Sequence, residues 1–200
     1  MTSADRFAYR GGVTEQKSGY PRPRRQATVL EAKALAHPLR VRILRLCGER
    51  ELTNKQLADR LGVQPGTVFY HVRLLLESGL LQPAEVRTGP SGALEKPYRS
   101  TGASWWLDNP LGSAPPEVQY APIAAFEEEL REAGPESVAF STRITLHLSP
   151  AEVDELDRRL LAVLDEYVET DHERMDRPAH GGIVVFHRLA GGAAGAAGAG

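Results

Sequence analysis

The chain has 200 residues, of which 42% are hydrophobic and 25% charged, with a formal net charge of −2 and one cysteine. Such a composition belongs to a globular protein of one large or two small domains, able to bury a core. No apolar run approaches the roughly 18 residues of a membrane span, no apolar signal-peptide core opens the chain, and a lone cysteine excludes an internal disulfide, so a cytoplasmic location is expected.

Charge is unevenly spread. Residues 1–27 hold six basic and two acidic side chains, residues 28–107 eleven and seven, and residues 108–200 seven and seventeen. Such a gradient predicts a basic half facing a polyanion and an acidic half turned away.

Residues 1–27 are polar and lack a sustained period, which predicts a disordered basic arm. Within it, Pro21-Arg22-Pro23-Arg24-Arg25 fits either an arm reaching DNA or a solvated tail. Thr28 caps a helix through Ala36 whose Val29, Ala32 and Leu35 share a face. That face can pack on the following module or join a dimer contact. His37 reads as a turn residue rather than a metal ligand. A second helix starts at Pro38, with Leu39, Ile43 and Leu46 inward and Arg42 and Arg45 outward. Cys47 follows Leu46 on an apolar helix and reads as a packed thiol rather than a redox sensor.

Residues 52–81 (LTNKQLADRLGVQPGTVFYHVRLLLESGLL) organise what surrounds them. Leu57, Ala58 and Leu61 give a short helix one apolar side, with Thr53 as N-cap and Gln56 completing a capping box. Gly62 ends it, and Pro65 opens a second helix. Val68, Val72 and Leu75 recur at i, i+4 and i+7 as the buried stripe, and Gly79 is the stop. Two short helices on a glycine turn form a helix-turn-helix, whose second helix can enter the major groove. Around that helix, Gly66, Thr67, Tyr70, Arg73 and Leu74 fall opposite the stripe, with Phe69 and His71 on its flanks. Residues 81–87 then read as a strand, 88–92 as a turn-rich tip and 96–100 as a returning strand. Arg87, Lys96 and Arg99 flank that tip, where phosphates or a minor groove would lie.

The pieces LAHPLRVRIL, LTNKQLADRLGVQPGTVFYHVRLLLESGLL and KPYRS, in that order, resemble the ArsR-like winged helix-turn-helix regulators over residues 28–105. The resemblance implies a homodimeric bacterial DNA-binding regulator, often a repressor, paired through helices flanking the winged module. It implies a recognition helix at 65–78, with Thr67, Tyr70, His71 and Arg73 at DNA-contacting positions. Many metal-sensing members carry paired cysteines on the preceding helix, and this chain has none there; Phe69-Tyr70 also replaces the more usual small and basic pair. The full expected DNA-binding set is Thr53, Asn54, Lys55, Gln64, Gly66, Thr67, Tyr70, His71, Arg73, Arg87, Lys96 and Arg99.

After the wing, Trp105 and Trp106 suit a wing base or domain seam better than a ligand pocket. Residues 108–116 form a Pro/Gly-rich linker. Pro122 opens a helix through Ala133 with Ile123, Phe126 and Leu130 on one face, and Glu127-Glu128-Glu129 is a solvated acidic face. Val138, Phe140, Thr142, Ile144, Leu146 and Leu148 alternate with polar or small residues as a half-buried strand. Ser149-Pro150-Ala151-Glu152 is a capping box that starts a long helix. Its Val153, Leu156, Leu160, Val163, Leu164 and Tyr167 are expected inward. Residues 182–189 read as a second strand beside the first, and residues 191–200 as a disordered Gly/Ala tail.

The expected fold is therefore α+β: a basic arm (1–27), a winged helix-turn-helix domain (28–107), a small strand-helix-strand accessory domain for dimerisation or effector binding (108–190), and the tail. No P-loop, GxSxG, HExxH or dinucleotide fingerprint is present. His172, Glu173, Asp176 and His180 lack an accepted metal-ligand spacing. The expected function is a dimeric, non-enzymatic transcription regulator that binds double-stranded DNA, without cofactor or metal and with room for a small-molecule effector. The alternatives are a winged helix used for protein–protein contact and a ligand sensor with little DNA affinity.

Overall fold

A computed structural model describes residues 23–89, 92–112 and 114–190. Most of the expected arm (1–22), wing-tip residues 90 and 91 and the 191–200 tail lie outside the described residues. The chain begins with β1 (Arg25–Gln26), α1 (Val29–Leu35), α2 (Pro38–Glu49), β2 (Leu52–Thr53), α3 (Asn54–Leu61) and α4 (Pro65–Glu77). Strands β3 (Leu81–Pro83), β4 (Arg87–Thr88), β5 (Leu94–Glu95) and β6 (Pro97–Ser100) follow, then a 3-10 turn (Ala103–Trp106) and β7 (Leu107–Asp108). Helices α5 (Pro116–Gln119), α6 (Ala121–Ala133) and α7 (Pro150–Glu169) complete an α+β fold.

Helix starts follow local chemistry. Thr28 with Glu31, Thr53 with Gln56 and Ser149 with Glu152 close reciprocal capping boxes on α1, α3 and α7, each satisfying two backbone donors that a helix leaves open. Gly62 ends α3 at φ 64°, a left-handed conformation that glycine adopts without a Cβ clash.

The core gathers Ile43 of α2, Leu57 of α3, Val68, Val72 and Leu75 of α4, and Leu80. Cys47 joins it as a packed thiol, and burial pushes its pKa up to about 12. On α1 the expected face is split: Leu35 is buried with Ala34, whereas Val29 is 88% exposed.

The wing is a hairpin in two ladders. An antiparallel sheet of order β2-β6-β3 pairs Leu81 with Ser100 and Gln82 with Arg99. Further out, β4 pairs with β5, Arg87 opposite Glu95. The single strand expected over 81–87 is thus broken at residues 84–86. Pro83 and Pro97 lack the N–H that a continuous ladder needs.

Three regions that flank the winged module depart from expectation: residues 23–26, residues 108–133 and residues 138–189. Residues 23–26 are docked rather than free: β1 lies parallel to β7, and the Arg25 guanidinium forks onto the buried Glu31 at 2.5 and 2.9 Å. Helix α6 buries Ala121 and Ala125, half-buries Ile123 and Phe126 and leaves Leu130 exposed. It packs on α2, where Glu132 takes Arg42 (2.5 Å) and Glu129 takes Arg45 (2.8 Å). Alanines let the helices approach, and the two arginines, expected outward, fix which face is covered; Glu129 is no solvated charge. The supposed linker also places Leu111 in the core.

The strand-helix-strand unit is the third correction. Helix α7 forms as expected, but residues 138–148 and 182–189 adopt no strand. An alternating segment becomes a strand only where a second backbone accepts its N–H groups and donates to its carbonyls, and among the described residues none does so. The stripe expected inward on α7 is only partly covered: Val153, Leu156 and Leu164 are half-buried, whereas Leu160, Val163 and Tyr167 are exposed, Val163 at 56%. The buried side is marked by Asp165, wholly inaccessible. Its Oδ1 accepts from Trp105 Nε1 (2.6 Å) and Arg24 Nη2 (2.7 Å). The Arg24 guanidinium lies 4.9 Å from the Trp105 ring centroid and 5.5 Å from that of Trp106. The tryptophans therefore serve a seam, joining the N-terminal segment, the wing base and α7.

Candidate nucleic-acid interface

Helices α3 and α4 meet across the turn at Gly62. Asn54, the first residue of α3, donates from Nδ2 to the Pro65 carbonyl at 2.8 Å. That bond ties the start of one helix to the start of the other and fixes how α4 projects. Thr53 is spent on capping: its hydroxyl accepts from Gln56 N at 3.2 Å while its own N–H donates to Gln56 Oε1 at 2.9 Å. These two residues hold the motif in shape.

Helix α4 is two-sided. Val68, Val72 and Leu75 are fully buried, and Gln64, Gly66, Thr67, Phe69, Tyr70 and Arg73 are exposed. Gln64 is the N-cap by backbone position, but its side chain makes no capping bond. Space beside Gly66 is open: a methyl group placed on its Cα would meet no atom within 4 Å. Tyr70 is 69% exposed, its ring meeting that of His71 edge-on with centroids 5.3 Å apart. Arg73, one turn on, forms an i,i+4 ion pair with Glu77 at 3.0 Å.

His71 does not belong to this face. It is 7% exposed and faces the core side with Val72, its ring centroid 4.6 Å from that of His37. Arg40 Nη1 lies 3.2 Å from His71 Nδ1. A guanidinium can only donate, so Nδ1 accepts and the ring is neutral with its proton on Nε2. Burial first, then the neighbouring His37 and Arg40 charges, hold the His71 pKa down to about 4. Its burial, with Nδ1 engaged by Arg40, keeps the ring away from the exposed face of α4.

Arg40 is the organiser that the sequence reading missed. Its Nε donates to the Ala34 carbonyl (2.6 Å) and its Nη2 to the Lys33 carbonyl (2.7 Å). It thereby closes the end of α1 and holds His71 of α4 from within α2. One signal was present. A cation in the first turn of a helix opposes the helix dipole, so Arg40 three residues after His37 required a compensating partner. His37 supplies the cap, its Nδ1 accepting from Leu39 N at 3.1 Å.

The wing presents Arg87, Lys96 and Arg99, all exposed. Arg87 is partly neutralised by Glu95 (3.2 Å) and Glu51 (3.8 Å), and Arg99 is held by the Gln82 amide oxygen at 2.7 Å from Nε. Lys55 and Lys96 are exposed amines. The structure thus leaves Gly66, Thr67, Tyr70 and Arg73 exposed along α4 with Gln64 exposed at its N-cap, ties Thr53 and Asn54 into hydrogen bonds within the motif, and buries His71. Phe69, passed over in the sequence, is exposed next to Tyr70.

Among the described residues, no group of three or more His, Cys, Asp and Glu is placed to hold a metal, and no helix is long and apolar enough to cross a membrane. No curated protein matches the chain. Residues 35–83 match the profile of a helix-turn-helix domain family, which suggests DNA binding in transcription regulation, and the matched stretch runs from the end of α1 through α3 and α4 to the end of β3.

Proposed function

We propose that this protein is a dimeric, cytoplasmic transcription regulator of the ArsR-like winged helix-turn-helix kind, acting as a repressor. In this reading α4 enters the major groove of double-stranded DNA. The observation that carries it is the division of α4 into a core side and an exposed side bearing Gln64, Thr67, Tyr70 and Arg73, beside a basic wing. Tyr70 and Thr67 meet base edges or a thymine methyl; Lys55, Arg73, Arg87, Lys96 and Arg99 meet phosphates. One module reads few base pairs, so two copies would bind half-sites about one helical turn apart. The exposed Val29 end of α1 and the helices after the wing offer contacts between copies. A small-molecule effector would act by changing the spacing of the two α4 helices.

The test is duplex binding by fluorescence anisotropy on a sequence selected from genomic fragments. Tyr70→Ala is expected to weaken selected-site binding by about 1–3 kcal/mol and leave non-selective binding nearly intact. Log affinity should fall linearly with log salt. Salt-insensitive binding, or a folded Tyr70→Ala protein that binds like the parent, overturns the assignment. The exposed Phe69-Tyr70 pair favours the second reading, a protein-binding face, and that reading gains if duplex DNA is ignored.

A further inference from the structure

We propose that residues 138–148 and 182–189, with the outward stripe of α7, form the main interface with a second copy of this chain, where they become the strands of a shared sheet. The inference rests on the dimeric reading above and names the surface that makes the dimer.

Three observations carry it. The first is a backbone without partners: no backbone hydrogen bond links residues 139–148 or 182–187 to another described residue. Their side chains nevertheless carry strand patterns. Residues 138–148 alternate, and Ile183-Val184-Val185-Phe186 is apolar on both sides, as in a strand covered on both faces. A single protomer supplies only two such segments, and a two-stranded ribbon is marginal in water; three or more strands over an apolar face are needed. A second copy brings the count to four.

The second observation is area. Phe140 is 88% exposed, and Ile144, Leu146, Val163, Tyr167, Val184, Val185 and Leu189 are all at least half exposed. With aromatic side chains at ~150–250 Å² each and aliphatic ones somewhat less, this is on the order of 1,000 Å². A specific interface takes about 800 Å² from each partner, so the area is sufficient for one. A cleft of about 530 Å³ between Leu130, Pro135 and Val138 opens at the start of the first segment and can seat an apolar side chain.

Charge points to a copy of the same chain. The charged or titratable groups of both segments are all basic (Arg143, His147, His187, Arg188), whereas α7, the buried Asp165 apart, holds six acidic and two basic residues. The segments of one copy are therefore complementary to α7 of the other, and a two-fold axis satisfies both contacts at once.

The experiment uses the full chain without DNA. Sedimentation velocity is expected to show a dimer at micromolar concentration. Hydrogen exchange should find the amides of 138–148 and 182–189 protected, exchanging at least tenfold faster on dilution below the dimer dissociation constant. Phe140→Asp and Val185→Asp should shift the protein to monomer with unchanged helical circular dichroism, while Val86→Asp, at an exposed valine outside both segments and α7, should leave the dimer intact. The inference is overturned by a monomeric parent, by dimers that survive both segment variants, or by protection independent of protein concentration, which would place the pairing within one protomer. Because a folding defect in a variant does not touch the exchange result on the parent, the dilution test stands by itself. Sonicated duplex DNA added afterwards separates the two readings: a dimer that ignores duplex retires only the DNA reading, and a monomer that binds duplex retires only this interface.

Discussion

Val68, Val72 and Leu75 on α4 and Leu160, Val163 and Tyr167 on α7 each form an apolar stripe along two turns of helix, yet the first set is buried and the second is exposed. The difference lies in what each helix is packed against. Helix α4 has α1, α2, α3 and β3 around it, and the polar groups at its base are taken up by Arg40. Helix α7 touches the rest of the protomer through Asp165, on the side opposite its apolar stripe. A helical period thus reports that a face will be covered, and it leaves open whether the cover comes from the same chain. The winged module closes its own core; residues 138–189 carry the patterns of a core that one copy does not close.

The sharpest way to break this comparison is to truncate equivalent side chains. Leu75→Ala should lower stability by about 2–5 kcal/mol, since Leu75 is wholly buried and a cavity remains. Leu160→Ala, read by urea denaturation at monomeric concentration, should cost less than about 1 kcal/mol. Equal losses would mean that α7 belongs to the same closed core.

Acid distinguishes the regions next. The unfolded-state His71 takes up its proton near pH 6.5 and the folded one only near 4. Between those values the unfolded state binds more protons, so the His71 contribution is complete above about pH 6.5 and is lost as pH falls toward 4. Its size is on the order of 2 kcal/mol after solvent screening. Denaturant titrations from pH 7 to pH 4.5 should show this slope, and His71→Asn should flatten it. Glu31, held at about 2 chiefly by Arg25, adds a separate loss below about pH 4.5.

Asp165→Ala removes the acceptor that Arg24 and Trp105 share, an effect of about 1–2 kcal/mol because Arg24 can turn to water. Tryptophan emission should shift to the red while the core transition of the winged module stays in place. A shift in that transition as large as that of Leu75→Ala would join the two regions into one cooperative unit.

The smallest test compares caps. Thr53→Ala and Ser149→Ala each delete one capping box, at about 1 kcal/mol. The first should lower the global transition, because α3 lies within the core. The second should fray α7 alone, visible as faster amide exchange over its first turn with the global transition unmoved.

Local rules were legible without the fold. The three capping boxes, Pro65 at the start of α4, Gly62 at the end of α3 and the Val68-Val72-Leu75 stripe depend on neighbours within a few residues. So does the exposed face of α4, because one buried stripe fixes the opposite side of a helix. Sequence by itself therefore determined the helix-turn-helix, the hairpin after it and most of the side chains presented to solvent there. Only the tertiary structure decided the remainder, where partners lie far apart in the chain. Arg40 meets His71 across 31 residues, Arg42 meets Glu132 across 90, and Arg24 meets Asp165 across 141. Periodicity ranks faces by hydrophobicity, so it assigned the apolar stripe of α7 to the interior and could not see a buried aspartate choosing the other side. It also cannot supply a strand's partner, since backbone pairing is a relation between two segments and alternation is a property of one.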